Sequence, residues 1–277
     1  MKGYFRGMIR LERPMPIVGM IHLLPLPGAP NGGASFQQVL ARARHEAVIY
    51  RRTGIDALMI ENHGDIPFAK DTSSPHVAAV MGTIAFALSE EFRCPIGINI
   101  LRNDAIAALG ASVPASASFV RVNVLSGVTA TDQGLIEGRG DAVIAYRRLL
   151  GLKTEIWADA HVKYGTPLYS PGLATIVESL AHRGGADRIL ITGTTTGRAP
   201  DAETVALAKA AAGVVPVLIA SGLNCDNVNS LLPLCDGAIV GSAFRHESKV
   251  ENEIEPALVT DFMHQVRAVR RDKRVAV

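Results

Sequence analysis

Apolar positions in this chain fall into short runs, and nearly every run ends in a polar or ionisable side chain. Between the runs, apolar residues recur every three or four positions, the spacing of an amphipathic helix. The runs cover residues 16–22, 57–61, 95–100, 119–124, 155–163, 188–192, 216–220 and 237–240. Helical spacing follows the first at Phe36, Val39, Leu40, Ala43, Ala47 and Tyr50, and Ser35 with Gln38 forms a capping box before it. Val77, Val80, Met81, Ile84 and Leu88 follow the second run, and Leu173, Ile176, Val177 and Leu180 the fifth. Asp201 caps a helix after the sixth, residues 226–232 form one after the seventh, and Leu258, Phe262, Val266 and Val269 mark the last.

Eight strand–helix pairs without a break in composition predict one domain over residues 1–277, a (β/α)8 TIM barrel with residues 1–14 as a lead-in. The length suits it, since such barrels need about 250 residues. Most of the runs are continuously apolar, as parallel strands covered on both faces must be. An open doubly wound sheet would carry a glycine-rich dinucleotide fingerprint after the first strand. Leu24-Pro25-Leu26-Pro27-Gly28-Ala29-Pro30 stands there instead, a stiff loop in which three prolines forbid helix. No nucleotide cofactor is expected.

Two stretches carry more information. In residues 155–163, Trp157, Asp159, His161 and Lys163 alternate with Ile156, Ala158, Ala160 and Val162, which puts an acid, an imidazole and an amine on one strand face. Such groups are costly to bury unless they serve each other or a ligand. Residues 125–138 form a long loop with Thr129, Thr131, Asp132, Gln133 and Glu137. It is either a solvated loop or a lid that carries an acid over a ligand. Residues 165–172 read as a plain loop.

Active sites of TIM barrels lie at the C-terminal ends of the strands. That rule gathers His22, Glu61, Asn62, Asn99, Arg102, Arg121, Asn123, Asp159, His161, Lys163 and Thr192 into a ring. His22, Glu61, Asp159, His161 and Lys163 are the catalytic candidates. Asn62, Asn99, Arg102, Arg121, Asn123, Asp132, Glu137 and Thr192 are the substrate-binding ones. The seventh and eighth strands end in Ser221-Gly222 and Gly241-Ser242, and Gly193 follows the sixth; small residues there suit a phosphate cradle built with a helix N-terminus, or plain turns. Glu61 and Asp159 suit general acid and base roles, or would hold a divalent metal with His22 and His161, although no H-E-x-x-H type spacing is present. Lys163 suits a Schiff base if desolvated, or an anion-binding or Asp159-pairing role. His45, His76, His182 and His264 read as structural.

The net charge of +2 gives no electrostatic case for nucleic acid, and the basic stretch at residues 267–274 reads as a solvated helix end. No apolar run reaches the roughly 18 residues of a membrane helix, and no signal-peptide pattern opens the chain. Cys94, Cys225 and Cys235 lack paired spacing and read as buried small apolar residues in a cytoplasmic protein.

Long motifs resemble the BtpA/SgcQ family over nearly the whole chain. They are Val18-Gly19-Met20-Ile21-His22, Glu61-Asn62-His63-Gly64-Asp65-Ile66-Pro67-Phe68, Gly97-Ile98-Asn99-Ile100-Leu101-Arg102-Asn103-Asp104, Arg121-Val122-Asn123-Val124, Thr131-Asp132-Gln133-Gly134-Leu135-Ile136-Glu137-Gly138 and Ala158-Asp159-Ala160-His161-Val162-Lys163, with Thr192-Gly193, Ser221-Gly222 and Val240-Gly241-Ser242. His63 departs from the pattern, which usually has Phe there. The resemblance implies a barrel similar to the ribulose-phosphate-binding group. Its name derives from a cyanobacterial member needed for photosystem I accumulation. The expected function is that of an enzyme on a small phosphorylated metabolite, of isomerase, epimerase or aldolase type. A metal-assisted hydrolase and a non-catalytic assembly factor are the alternatives, and a homo-oligomer is left open.

Overall fold

The structure is a computed structural model that describes residues 8–169, 171–193 and 197–275. Its centre is a closed barrel of eight parallel strands. In chain order the elements are β1 (Ile17–His22), α1 (Phe36–Thr53), β2 (Ala57–Glu61), α2 (Pro75–Phe92), β3 (Ile96–Asn99), α3 (Ala105–Ala115) and β4 (Phe119–Val122). Then come β5 (Val128–Thr131), β6 (Gly134–Glu137), α4 (Gly140–Leu149), β7 (Glu155–Asp159), β8 (Gly165–Pro167) and α5 (Leu173–His182). The chain closes with β9 (Arg188–Ile191), α6 (Ala202–Ala212), β10 (Val217–Ile219), α7 (Val228–Leu231), β11 (Ala238–Val240) and α8 (Pro256–Val275). The barrel order is β1-β11-β10-β9-β7-β4-β3-β2, so the (β/α)8 TIM barrel expected from the periodicity is the fold.

The capping chemistry works as the residues demand. Ser35 and Gln38 cap α1 reciprocally, Gly54 ends it at φ 93°, and the Asp201 carboxylate accepts from the Thr204 N–H at the start of α6.

Alternation along the strands sorts the core into two compartments. One set of side chains packs outward against the helices. The other fills the barrel: Val18, Met20, Ala57, Met59, Phe119, Trp157, Leu190, Leu218, Ala220 and Ile239. At its middle the rings of Phe119 and Trp157 stack with centroids 3.6 Å apart and planes 4° from parallel. Gly97 on β3 makes room for them, because a Cβ there would lie 2.0 Å from the Phe119 ring. Below the stack, Arg188 sits 5.1 Å over the Trp157 ring and bonds Glu155, which also accepts from the indole N–H. This plug separates the two mouths of the barrel.

Four expectations need correction. The fifth barrel strand stops at Asp159, so His161 and Lys163 lie on the following loop rather than on the strand. Residues 125–138 are not a bare loop: β5 and β6 form a hairpin, and β8, expected as loop, adds a third antiparallel strand. The basic end of α8 is not wholly solvated. Arg270 is 7 % exposed and bonds both Asp56 and the Met15 carbonyl. Cys94 and Cys235 are buried, but Cys225 is only partly so, ahead of a helix that spans just Val228–Leu231. Residues 1–7 of the lead-in and Thr194, Thr195 and Thr196 lie outside the described residues.

The Gly97→Ala variant should unfold about 1–3 kcal/mol more easily in a urea titration, because the added methyl has to displace a stacked ring in a closed barrel. An unchanged midpoint and slope would show that the stack yields freely.

Candidate active site

The inward face of β7 ends at Asp159, whose side chain is fully buried. Arg121 on β4 grips it twice, Nε to Oδ2 at 3.1 Å and Nη2 to Oδ1 at 3.0 Å, and Asn123 Nδ2 adds 2.7 Å to Oδ2. Burial alone would lower the Arg121 pKa; the Asp159 and Glu61 charges and the hydrogen bond to Asp159 hold it above its usual value. A bidentate pair of this kind fixes both partners in place. Asp159 therefore reads as the support of Arg121 and not as a free base, and it does not pair with Lys163.

One strand over, Asn99 Nδ2 donates to Glu61 Oε2 at 2.6 Å. Each of these two carboxylates takes an amide N–H and so turns the amide oxygen the other way. Asn99 Oδ1 and Asn123 Oδ1 are buried with no partner among the described residues, as are His22 Nδ1, His161 Nε2 and Arg102 Nε. Buried polar atoms are nearly always satisfied by protein, water or ligand. Five such atoms around one mouth mark it as a place where partners arrive from outside.

The loops at this mouth are tied to one another by side chains. Asn62 Oδ1 accepts from Leu101 N–H and its Nδ2 donates to Asp65, whose other oxygen accepts from Leu26 N–H. Asn62 is thus committed to the loops, against the expectation that it meets substrate. Asn103 bonds both backbone groups of Val124. Arg102 Nη2 donates to the Lys163 carbonyl at 2.5 Å, and Thr192 Oγ1 to the His161 carbonyl at 3.0 Å. Arg102 is held below its usual pKa by burial, with Asp132 the largest opposing charge. Asp132 itself is exposed at the β5–β6 turn, and Glu137 is exposed at the far end of β6.

A cavity at the mouth is lined by His22, Glu61, Arg121 and Lys163 together with Ser221, Gly222, Gly241 and Ser242. Lys163 is pushed down to about 8 by burial and by the Arg121 and Arg102 charges, with Glu61 and Asp159 opposing. His22 is driven well below 6.5 by burial first, then by Arg245, His63, Lys163 and Arg121. It is a neutral imidazole at pH 7. Burial also lowers His161. The His63 ring meets His22 edge-on at 5.2 Å, so the one departure from the family pattern touches the site directly.

The small-residue wall has structural duties as well. A Cβ on Gly222, at φ +73°, would lie 2.0 Å from Ala199 N; one on Gly193 would lie 2.2 Å from the Arg198 carbonyl; and one on Gly241 would lie 2.7 Å from His22 Cε1. Ser221 Oγ donates to that same Arg198 carbonyl at 2.7 Å. Gly193 is therefore a packing residue behind the wall. α7 begins only at Val228 and is four residues long, so the helical turn at this wall is the three-residue 3-10 helix Ser242–Phe244 after Gly241. Among the described residues, no loop hydrogen bond is donated by the backbone N–H of Gly222, Leu223, Ser242 or Ala243.

His22, Glu61, Asp159 and His161 do not converge as a metal-ligand set, and no such group of three exists among the described residues. The reason is local: Asp159 is taken by Arg121, and His161 lies beyond the strand end. Two residues escaped the sequence reading. Arg245, after β11, forms a buried pair with Glu46 of α1 at 2.7 and 2.9 Å, which holds the turn that carries Ser242 and places a charge near His22. A glutamate inside the apolar stripe of α1 was the available signal for Glu46; nothing local marks Arg245.

Since His22 is harder to protonate in the folded chain than at its free value of 6.5, the unfolded chain binds the proton first, and stability falls as pH drops below 6.5. Denaturation midpoints between pH 7.5 and 5 should decline less steeply for His22→Gln than for wild type, with the smaller His161 contribution remaining. Equal slopes would show that His22 titrates as a free histidine.

Residues 13–268 match the BtpA family. The Photosystem I biogenesis protein BtpA of Synechocystis is 41% identical over 248 residues, spanning 90% of this chain and 86% of its own. An uncharacterized protein of Methanocaldococcus jannaschii is 41% identical over 250 residues, 90% of this chain and 94% of its own. Among solved structures, N-(5'-phosphoribosyl)anthranilate isomerase from Pyrococcus furiosus superposes with TM-score 0.56 at 15% identity, over 92% of this chain and 99% of its own. Orotidine 5'-phosphate decarboxylase from Pyrococcus horikoshii does so with TM-score 0.58 at 14% identity, over 91% and 99%. These last likenesses concern the fold alone. On the motifs, the barrel and the match along its length, the chain belongs to the BtpA family.

Proposed function

We propose that the protein is an enzyme that binds a small phosphorylated metabolite in the C-terminal mouth of the barrel and rearranges it by proton transfer, as an isomerase or lyase. The observation that carries this reading is the mixed lining of the cavity, in which Glu61, His22, Lys163 and Arg121 share one space with Ser221, Gly222, Gly241 and Ser242. Cations beside small residues with undonated N–H groups suit a phosphate. Glu61 is the carboxylate left to move a proton, because Asp159 is consumed by Arg121. Neutral His22, with Nδ1 unpartnered, is positioned to bond or shuttle a proton at developing charge. Asn99 Oδ1 and Asn123 Oδ1 accept from hydroxyl or amine groups of the same ligand.

A thermal-shift panel, run with and without divalent cations, checks this. Phosphorylated three- to six-carbon sugars should raise the melting temperature and their unphosphorylated counterparts should not, in keeping with stabilisation by about 2.7 kcal/mol at a hundredfold excess over Kd. Ser242→Asp, which adds a negative charge to the wall, should abolish the shift. Equal responses to phosphorylated and unphosphorylated sugars, or a shift that survives Ser242→Asp, would remove phosphate recognition from the reading.

A further inference from the structure

We propose that Lys163 is a covalent catalyst whose amine condenses with the carbonyl carbon of a phosphorylated aldehyde or ketone held in the cavity. The inference rests on the phosphate-binding reading above and adds a chemical requirement to it: the substrate must carry a carbonyl group.

Position is the first support. Lys163 lines the cavity with Glu61, His22 and Arg121, in the same space as Ser221 and Ser242. Its backbone is pinned there by Arg102, which donates to its carbonyl at 2.5 Å. The amine is therefore presented to the space a phosphate on the wall would leave for the rest of the molecule.

The second support is the lack of a counter-ion. A lysine that merely balances charge sits against a carboxylate. Of the two carboxylates nearby, Asp159 is saturated by Arg121 and Asn123, and Glu61 is held by Asn99. No hydrogen bond or ion pair engages the Lys163 amine among the described residues. Arg121, which also lines the cavity, supplies a permanent cation beside it. Burial first, and then the charges of Arg121 and Arg102, disfavour the ammonium form. A lysine held near 8 is about one-tenth neutral at pH 7, whereas a free lysine near 10.4 is neutral in fewer than about one in a thousand molecules. The neutral amine is the nucleophile.

The third support is the proton inventory. The amine lone pair forms the C–N bond as the carbonyl π pair moves to oxygen, which takes a proton. The ammonium has already given up one proton to become this amine and the attacking nitrogen gives up a second; both end on the carbonyl oxygen, which leaves as water, so the products are a protonated imine and one water. Glu61 and His22 both line the cavity and can relay these protons. The positive imine then acidifies the neighbouring C–H, and Glu61 is the base that can receive that proton. No oxidant, reductant or further reactant is needed.

Borohydride trapping tests this on the full-length protein. Dihydroxyacetone phosphate and glyceraldehyde 3-phosphate serve as ketone and aldehyde probes, followed by intact mass and peptide mapping. The expected result is one reduced adduct per chain on the Lys163 peptide, with Lys70, Lys153, Lys209, Lys249 and Lys273 unmodified. Its yield should rise with pH through a midpoint near 8 and fall when inorganic phosphate competes. Lys163→Arg should keep its circular dichroism while losing the adduct. If the probes raise the melting temperature but leave no adduct at Lys163, covalent catalysis is overturned while phosphate binding stands. If neither effect is seen, both fall. Modification scattered over the surface lysines, or an adduct that persists in Lys163→Arg, also overturns the proposal.

Discussion

Asp159 sits where a barrel has least water, and a bare carboxylate there would be costly. The chain meets that cost with a bidentate guanidinium and an amide, both from β4 or the residue just beyond it. The consequences spread outward. Arg121 is fixed with its charge facing the mouth. Asn123 is turned so that its oxygen is free. Lys163, which follows Asp159 on the next stretch of chain, is left without that acid as a partner. A strand-end triad of acid, imidazole and amine thus becomes a support and two reactive groups, separated by the end of β7 after Asp159.

The rest of the mouth is held by polar ties that run from loop to loop. Asp65 and Asn62 join the first three loops, Asn103 reaches the fourth, Arg102 crosses to the loop of Lys163, Thr192 and Ser221 continue the series, and Arg245 anchors the last loop on Glu46. Buried hydrogen bonds of this kind contribute modestly each, yet leaving one unmade is costly, so they act as a common frame. Below them the Phe119–Trp157 stack fills the barrel, while Met20, Ala220, Ile239 and Val240 supply the apolar part of the cavity lining. Burial moves the His22 imidazole and the Lys163 amine away from their ordinary ionisation.

Much of this was legible in the residues. Eight apolar runs with helical spacing between them fixed the barrel, and the rule that strand ends carry the chemistry brought His22, Glu61, Arg121 and Lys163 to one cavity with Ser221 and Ser242. What could not be read is pairing across strands. Whether Asp159 meets Arg121 or Lys163 depends on where β7 ends, and alternation continued past that point in the sequence. Asn62 looked like a binding residue because it follows a strand, but its partners are Asp65 on its own loop and Leu101 on the next one. The hairpin of β5 and β6 was hidden because its third strand, β8, is three residues long and comes from a distant loop. Arg245 and Glu46 are 199 positions apart, beyond the reach of any local pattern.

The claim at the centre is that Arg121 takes the acid and leaves the amine desolvated. The direct measurement is an NMR titration of protein carrying lysine labelled with carbon-13 beside the amine, with Lys163→Arg used to assign the resonance. One lysine should titrate at about 8 while the exposed ones titrate near the ordinary value of about 10.4. A Lys163 resonance that titrates with the others, or above them, would mean that the amine has found a carboxylate after all, and the account of the site would be wrong.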